Sequence, residues 1–250
     1  EVLAIPSIDI VLLNEGVYAL RNLLASNLEE DLRKIRGIGH KLDGKPVLNT
    51  PEIVVPTDKM DVDMPGYAWD LLPFKTKPLD LYKAHFWHTE YKQVRRTPFA
   101  ALYTSLGCRF KCDFCMINIV NRVDNSDLIV ASDSAKMRYW SPEFILKQME
   151  ILQNYGVSRL RLSDEMFFLN QRYFEPLLTG VIERNFDLNM WSYTRVDTVR
   201  EQYLDLFRKS GIEWLGVGIE AGNREIRREV SKGTFQISDI STVVALMQNH

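Results

Sequence analysis

The feature that most constrains the fold is an alternation of strand-like and helix-like segments through the carboxyl-terminal part of the chain. Short apolar runs of strand length are each followed by a segment with apolar residues at helical spacing. Strands that alternate with helices form parallel βα units. We therefore predict an α/β fold. The predicted elements are strand 97–106, helix 141–155, strand 157–162, helix 171–184, strand 188–194, helix 200–210, strand 212–219 and helix 239–250.

The number of units indicates a barrel that continues beyond the printed sequence. Four βα units begin at residue 97, and a parallel sheet that ended at strand 212–219 would leave an unpaired edge. The chain also begins with Glu1 and stops at His250 inside a predicted helix. We therefore expect a segment truncated at both ends, with the remaining strands after residue 250.

Charged residues follow three of the predicted strands at their carboxyl ends. They are Asp164 with Glu165, Arg195 with Asp197, and Glu220. In βα barrels, residues at the carboxyl ends of strands line the active site. Two acids and an arginine suit a zwitterionic, cationic cofactor, because carboxylates accept from ammonium and hydroxyl groups and a guanidinium pairs with a carboxylate. The alternative is a structural salt bridge at the rim, for instance between Arg195 and Glu220.

All three cysteines of the chain lie in one loop that follows the first predicted strand, at Cys108, Cys112 and Cys115. Their odd number and close spacing argue against a disulfide framework. Three thiolates on one loop suit an iron–sulfur cubane that keeps one iron open to another ligand. Zinc is the alternative, but structural zinc sites use four ligands, and the nearest histidines, His85 and His88, have no familiar zinc spacing.

Residues 104–115, Thr-Ser-Leu-Gly-Cys-Arg-Phe-Lys-Cys-Asp-Phe-Cys, resemble the signature loop of the radical S-adenosylmethionine (radical SAM) family. The resemblance implies that the three cysteines hold a [4Fe–4S] cluster, that S-adenosylmethionine (SAM) binds its free iron, and that Phe114 lies against the adenine. It also implies reductive cleavage of SAM to methionine and a 5′-deoxyadenosyl radical, which abstracts a hydrogen atom from a small-molecule substrate. An external electron donor such as flavodoxin or ferredoxin is then expected.

The strand ends resemble the family in part. The family often carries Gly-Gly-Glu after its second strand to bind the amino group of SAM, and here Asp164 and Glu165 follow a serine, so only the acid matches. Arg195 and Glu220 match strand ends of the branch that has a cobalamin-binding domain. Asp164, Glu165, Arg195 and Glu220 are therefore the predicted SAM-binding residues.

The amino-terminal residues resemble the tail of the Rossmann-like cobalamin-binding domain of that branch. A strand at 8–13, a turn at 14–16, a helix at 17–28 and a hairpin at 35–49 with a turn at Asp43-Gly44 are predicted. Any α/β unit is the alternative. The Asp-x-His-x-x-Gly motif that supplies a cobalt ligand in many such domains does not occur in this sequence, so cobalamin stays a candidate cofactor, and His40 is expected to be solvated.

Residues 51–96 are rich in proline and aromatic residues, which predicts a linker that packs on a neighbouring domain. The aromatic segment 82–91 has two interpretations, a substrate pocket or structural packing. The long polar stretch 121–139 is expected to be a functional loop. The predicted organisation is a cobalamin-like tail at 1–50, the linker at 51–96 and a partial (β/α) barrel of radical SAM type at 97–250.

Composition excludes several classes of function. The chain has 46% hydrophobic and 26% charged residues with a net charge of −2, a globular profile without a basic patch for nucleic acid. No apolar stretch reaches the length of a membrane span or resembles a secretory signal. Three clustered thiols fit a reducing compartment, so cytoplasm is expected.

Together these features predict a radical SAM enzyme, with cobalamin-dependent methyl transfer to an unreactive centre as the first expectation. Rearrangement or cyclisation without methyl transfer is the alternative within the family. A non-catalytic iron–sulfur electron-relay module is the alternative outside it. No catalytic acid or base is assigned.

Overall fold

The structure, a computed structural model, describes residues 1–27, 31–73, 83–85, 96, 98–110, 112–117, 137–231 and 237–250. The chain divides into two compact units. The first comprises Glu1–Pro65 and Gly107–Arg138, and the second comprises Gly66–Leu106 and Tyr139–His250. Within these described ranges, no helix is both long enough and apolar enough to cross a membrane. The domain limits at residues 50 and 96 stay a prediction.

The predicted elements occur in the predicted order, but the predicted strand 97–106 forms two strands. The strand Arg138–Tyr139 and the helices Met60–Asp63 and Arg224–Ser231 were not among the predicted elements. The strands are β1 (Ile10–Leu12), β2 (Ile38–Leu42), β3 (Lys45–Leu48), β4 (Phe99–Leu102), β5 (Ser105–Leu106), β6 (Arg138–Tyr139), β7 (Arg159–Leu162), β8 (Asn189–Arg195) and β9 (Ile212–Gly218). The α-helices are α1 (Val17–Ala25), α2 (Met60–Asp63), α3 (Pro142–Asn154), α4 (Gln171–Glu183), α5 (Leu204–Lys209), α6 (Arg224–Ser231) and α7 (Ile237–Asn249). Short 3₁₀ turns, including Trp69–Leu71 and Glu201–Tyr203, connect them.

The first unit contains a three-stranded antiparallel sheet in the order β1-β2-β3. Asp43 and Gly44 join β2 to β3 with φ angles of 50° and 74°, because a two-residue hairpin turn of this kind needs positive φ at both positions. Helix α1 packs on the sheet through Ala19 and Leu23, which share an apolar cluster with Ile38. The predicted strand, helix and hairpin are thereby confirmed.

His40 is buried in this sheet, which corrects the expectation that it is solvated. Its side chain is 1% exposed, and its residue pairs with Ile10 on β1 and Val47 on β3. The prediction was wrong because side chains leave a sheet through its faces, and a hairpin pattern does not show which face the rest of the unit covers.

The second unit is built on a four-stranded parallel sheet in the order β4-β7-β8-β9. One face of the sheet is apolar and fully buried, as Leu160, Leu162 and Met190 show with 0% exposure. Helices α3, α4 and α5 pack in succession beside it. Each such buried side chain contributes roughly 1.5–3 kcal/mol through removal of apolar area from water. The predicted parallel βα units are confirmed, so the fold class is α/β.

Helix α3 shows how local signals and packing combine. Ser141 caps it by accepting a hydrogen bond from the amide of Phe144 at 3.1 Å, and Pro142 occupies the first turn. The helix residue Gln148 is buried, and its side-chain oxygen accepts a hydrogen bond from the indole N–H of Trp69 at 2.9 Å. Trp69 also stacks on Tyr67, with ring centroids 4.6 Å apart. The linker segment therefore packs against this helix, as its aromatic content predicts.

Candidate functional site

The cysteine loop belongs to the first unit, and its three cysteines form no disulfide in the described structure. Cys108 is buried, Cys112 is partly buried and Cys115 is exposed. The amide of Cys115 donates to the carbonyl of Cys112 at 3.0 Å, which makes a turn between them. The amide of Phe110 donates to the Sγ atom of Cys108 at 3.4 Å. The loop is thus tightly turned, and none of its thiols is consumed by a disulfide.

The chemistry of this donor set fits an iron–sulfur cluster, because thiolates are the ligands that such clusters use. In the part of the chain that the structure describes, however, no three side chains of the Cys, His, Asp and Glu types are gathered as a metal site. The assignment of Cys108, Cys112 and Cys115 as cluster ligands stays a prediction from their spacing. Phe114, the predicted adenine contact, is 61% exposed on the same loop.

Asp164 follows β7 and is fully buried. Its carboxylate accepts from the Thr104 amide at 3.0 and 3.2 Å, from the Thr104 hydroxyl at 2.7 Å and from the Ser105 hydroxyl at 2.5 Å. Burial raises the pKa of the Asp164 carboxyl above its ordinary value, although these hydrogen bonds oppose the shift. The carboxylate is therefore engaged with the residues that lead into the cysteine loop.

Glu165, the next residue, is partly buried. Its charge acts on the hydroxyl of Tyr103, whose pKa is raised first by burial and then by Glu165. Of the predicted pair, Glu165 is the residue whose environment suits contact with a cofactor, and this role stays a prediction.

Arg195, the last residue of β8, is 5% exposed and has an ion pair of its own. Its Nε and Nη2 atoms donate to the two carboxylate oxygens of Asp197 at 3.0 Å each. The backbone of Arg195 is also held in place, because the Thr198 hydroxyl accepts a hydrogen bond from the Arg195 amide at 3.1 Å. A planar guanidinium held in this bidentate way is rigid, and this rigidity is compatible with a positioned contact to SAM.

Glu220 follows β9 in a constrained turn. Its φ angle is 66°, which is uncommon for a residue other than glycine and is associated with functional loops. Its Oε1 atom folds back over Gly218, since a Cβ atom placed there would lie only 2.8 Å from it. Glu220 is exposed, so its carboxylate is accessible.

A residue that the sequence analysis missed supports this turn. Arg227 on α6 is fully buried, and its guanidinium donates to the carbonyls of Ala221 and Gly222. Because these carbonyls immediately follow Glu220, Arg227 helps to hold the Glu220 turn. The signal was weak, since one of three arginines in a highly charged helix is typical of a solvated surface.

The four predicted SAM-binding residues all lie in the second unit, at the ends of the adjacent parallel strands β7, β8 and β9. Parallel strands have their carboxyl ends at one edge of a sheet, so these residues lie along the same edge, as the sequence predicted. Most of the aromatic segment 82–91 and of the loop 121–139 lies outside the described residues, and their predicted roles stay predictions.

Comparison with curated proteins gives two relatives that span nearly the whole chain. The protein named Uncharacterized methyltransferase PH0819, from Pyrococcus horikoshii, is 26% identical over 95% of this chain and 46% of its own length. The anaerobic magnesium-protoporphyrin IX monomethyl ester cyclase of Synechocystis is 21% identical over 98% of this chain and 44% of its own length. The chain thus spans less than half the length of these relatives.

Solved structures show the same fold. The radical SAM methyltransferase TsrM from Kitasatospora setae, with cobalamin and a [4Fe–4S] cluster bound, matches 97% of this chain and 45% of its own with a TM-score of 0.66 and 18% identity. The cobalamin-dependent SAM radical enzyme OxsB matches 95% of this chain and 31% of its own with a TM-score of 0.65 and 18% identity. At this identity the likeness is one of fold, and it confirms the predicted α/β fold of radical SAM barrel type.

The family itself is shown by a match over more than half of the chain. The model of the Radical SAM superfamily matches residues 102–239, a range that includes the cysteine loop and the four predicted SAM-binding residues. The predicted [4Fe–4S] cluster and SAM are the cofactors of that family. This chain therefore belongs to the radical SAM superfamily.

Proposed function

We propose that this chain is part of a cobalamin-dependent radical SAM methyltransferase that methylates an unreactive centre of a small molecule. The observation that carries the proposal is the position of the three cysteines inside the matched range 102–239. A loop of three thiols leaves one iron of a four-iron cluster available to a cofactor. The chain spans less than half the length of its curated relatives, so the activity of the whole protein is itself part of this proposal.

Methyl transfer is supported by the names of the similar proteins. The relative at 26% identity is named a methyltransferase, and TsrM, which shares the fold, is a methyltransferase solved with cobalamin bound. OxsB is also described as cobalamin-dependent. Cobalamin is therefore the proposed third cofactor. Candidate ligands to its cobalt are not assigned to this chain.

The proposed roles follow from the surroundings of each side chain. Cys108, Cys112 and Cys115 hold the cluster, which when reduced supplies the electron that cleaves SAM. Phe114 is exposed and presents a ring to the adenine. The SAM-binding group is Glu165, Arg195 and Glu220, with Asp164 acting at the base of the cysteine loop.

Cyclisation is the second candidate, because one similar protein is a cyclase that acts on a porphyrin ester. The two functions differ in their products. A cobalamin-dependent radical methyltransferase would release S-adenosylhomocysteine in addition to methionine and 5′-deoxyadenosine, with a methyl group in place of a hydrogen atom of the product. A cyclase would release methionine and 5′-deoxyadenosine, with a new ring in the product and no added carbon. Mass spectrometry of a reaction with deuterated methyl SAM separates them, because only methyl transfer carries the label into the product.

The test of the radical SAM assignment uses anaerobically reconstituted protein. We expect a broad thiolate-to-iron absorption, equilibrium binding of SAM and formation of 5′-deoxyadenosine after reduction. Replacing Cys108, Cys112 and Cys115 together by Ala is expected to abolish all three signals. Met116→Ala is the matched control, because Met116 is exposed beside the loop and carries no thiolate. Formation of 5′-deoxyadenosine by the triple variant would contradict the assignment, and a cluster that never binds SAM would favour an electron-relay module.

The remaining parts of the proposal concern partners and location. Reduction of the cluster requires an external donor, and flavodoxin or ferredoxin is proposed. A cytoplasmic location is proposed because clustered thiolates and an iron–sulfur cluster need a reducing compartment. Reduction of the reconstituted protein by a flavodoxin system, measured by loss of the cluster absorption, tests the donor.

A further inference from the structure

Arg161, in the middle of the parallel strand β7, lies against two aromatic rings whose centroids are 4.9 Å apart. Its guanidinium carbon is 4.6 Å from the ring centroid of Trp191 and 5.1 Å from that of Tyr193, both on the adjacent strand β8. Its Nη2 atom donates to the hydroxyl of Tyr193 at 2.8 Å. These contacts fix the plane of the guanidinium, since stacking and a directed hydrogen bond restrain it together.

The charge of Arg161 has no acidic partner among the described residues. Its Nε–H group is shielded from solvent and donates no hydrogen bond to a described residue. Two other enclosed arginines differ in this respect, because Arg138 pairs with Glu15 at 2.6 Å and Arg195 pairs with Asp197 at 3.0 Å. A partly buried cation without a counter-ion costs free energy, so Arg161 is prepared for an anion that the described chain does not supply.

The surroundings of Arg161 leave room for a ligand on this face of the sheet. The residue paired with Arg161 on strand β4 is Ala101, which is exposed and has a small side chain. The residue paired with Tyr193 on strand β9 is Gly216, which has no side chain. Tyr103 and Tyr193 are each 37% exposed. The face therefore combines one uncompensated guanidinium with accessible aromatic surface.

The shape of the guanidinium favours a planar anion. Arg161 and Glu165 both act on the pKa of Tyr103, in opposite directions, after the larger effect of burial. A carboxylate carries one negative charge, and its planar pair of oxygens matches the fork of a guanidinium.

We propose that Arg161, held against Trp191 and Tyr193, binds the carboxylate of a substrate that also carries an aromatic ring. This inference rests on the proposed function, because it assigns a substrate class to the radical SAM barrel. Apolar surface with a few placed polar groups is typical of small-molecule sites. The guanidinium orients the carboxylate, and the ring of the substrate packs against the exposed tyrosines.

The experiment measures binding of sodium benzoate to the wild-type chain by ligand-observed NMR, with benzamide as the neutral probe of the same shape. Wild type is expected to bind benzoate about tenfold more tightly than benzamide, as a charge-assisted bidentate pair implies. Arg161→Gln is expected to remove that preference. Arg161→Lys, which keeps the charge but loses the planar fork, is expected to recover only a small part of it.

The matched control is Arg159→Gln, two residues earlier on the same strand and without an aromatic ring over its guanidinium in the described structure. It should retain the wild-type preference, and melting curves establish that each variant is folded. The inference would be overturned if wild type bound the two probes equally, or if both Arg161 variants bound benzoate as wild type does. It would also be overturned if Arg159→Gln lost the preference for benzoate to the same extent as Arg161→Gln. Displacement of benzoate by an equal concentration of inorganic phosphate would overturn it as well. Benzoate binding is measured on the reconstituted protein without SAM or reductant, so its failure leaves the 5′-deoxyadenosine test intact, and the converse also holds.

Discussion

The carboxylate of Asp164 accepts hydrogen bonds from both the amide and the hydroxyl of Thr104, at donor–acceptor distances between 2.7 and 3.2 Å. Thr104 lies four residues before Cys108 along the chain. A second interaction fixes the same residue, since the Tyr173 hydroxyl donates to the Thr104 carbonyl at 2.8 Å. The start of the segment that leads into the cysteine loop is therefore held by strand β7 and helix α4.

Asp164→Asn tests whether this carboxylate organises the start of the loop. An amide keeps one acceptor but turns an NH₂ group toward donors, so the variant is expected to lose about 1–3 kcal/mol of unfolding free energy. It is also expected to incorporate less iron on reconstitution. Urea unfolding and iron analysis measure the two effects. Asp187→Asn, the same change at an exposed position, should alter neither, and a wild-type iron content in Asp164→Asn would argue against the positioning role.

The ion pair of Glu15 and Arg138 is predicted to stabilise the first unit. The two side chains meet at 2.6 Å with Arg138 only 3% exposed, and Arg138 also donates to the Val55 carbonyl at 2.6 Å. Glu15→Gln or Arg138→Met should each cost about 3–5 kcal/mol, because each leaves a buried partner uncompensated. The double variant should cost clearly less than the sum of the two. Additive costs in a urea double-mutant cycle would show that the pair is not coupled.

Tyr18 is predicted to make stability depend on pH in the alkaline range. Burial and the hydrogen bond to Asp63, 2.6 Å long, raise its pKa from 10.0 to about 12. A raised pKa in the folded state means that the contribution is fully present below pH 10 and is lost as the pH rises toward 12. Tyr18→Phe should lower stability at neutral pH by about 1–2 kcal/mol. The substitution should also reduce the fall in stability between pH 10 and 12, as measured by thermal unfolding at several pH values. A fall in the variant equal to that in wild type would contradict the assignment to Tyr18.

Two glycines that end helices provide a matched pair for backbone strain. Gly156 follows α3 and Gly211 follows α5, with φ angles of 80° and 92°. A Cβ atom at Gly156 would meet nothing within 4 Å, whereas at Gly211 it would lie 2.0 Å from the carbonyl oxygen of Leu188. Gly156→Ala should therefore cost only the conformational term of about 1–2 kcal/mol. Gly211→Ala should cost much more, because the start of β8 must move, and equal losses in melting temperature would refute this difference.

Much of the fold could be predicted from local patterns. Helix α3 was predicted at 141–155 and spans Pro142–Asn154, because a capping serine, a first-turn proline and a terminal glycine all act within a few residues. The hairpin of β2 and β3 was predicted for the same reason, from its Asp-Gly turn. The family also follows from a local pattern, since the cysteine spacing lies within one loop.

The roles of individual charged residues could not be read in this way. Arg138 finds Glu15 at a separation of 123 residues, and His40 is buried on a strand that pairs on both sides. Asp164 and Glu165 look equivalent as neighbouring acids, yet one is fully buried and the other is not. Which partner a charge meets depends on how distant segments pack.

The sequence by itself determined the family, the order of the strands and helices, and the edge of the sheet where the polar residues gather, because each depends on short-range spacing. Only the tertiary structure decided that Asp164 binds Thr104, that Arg195 pairs with Asp197 and that Arg161 is left with aromatic rings instead of an acid. The reason is that burial and electrostatic pairing are set by contacts between strands, and a linear pattern does not contain those contacts.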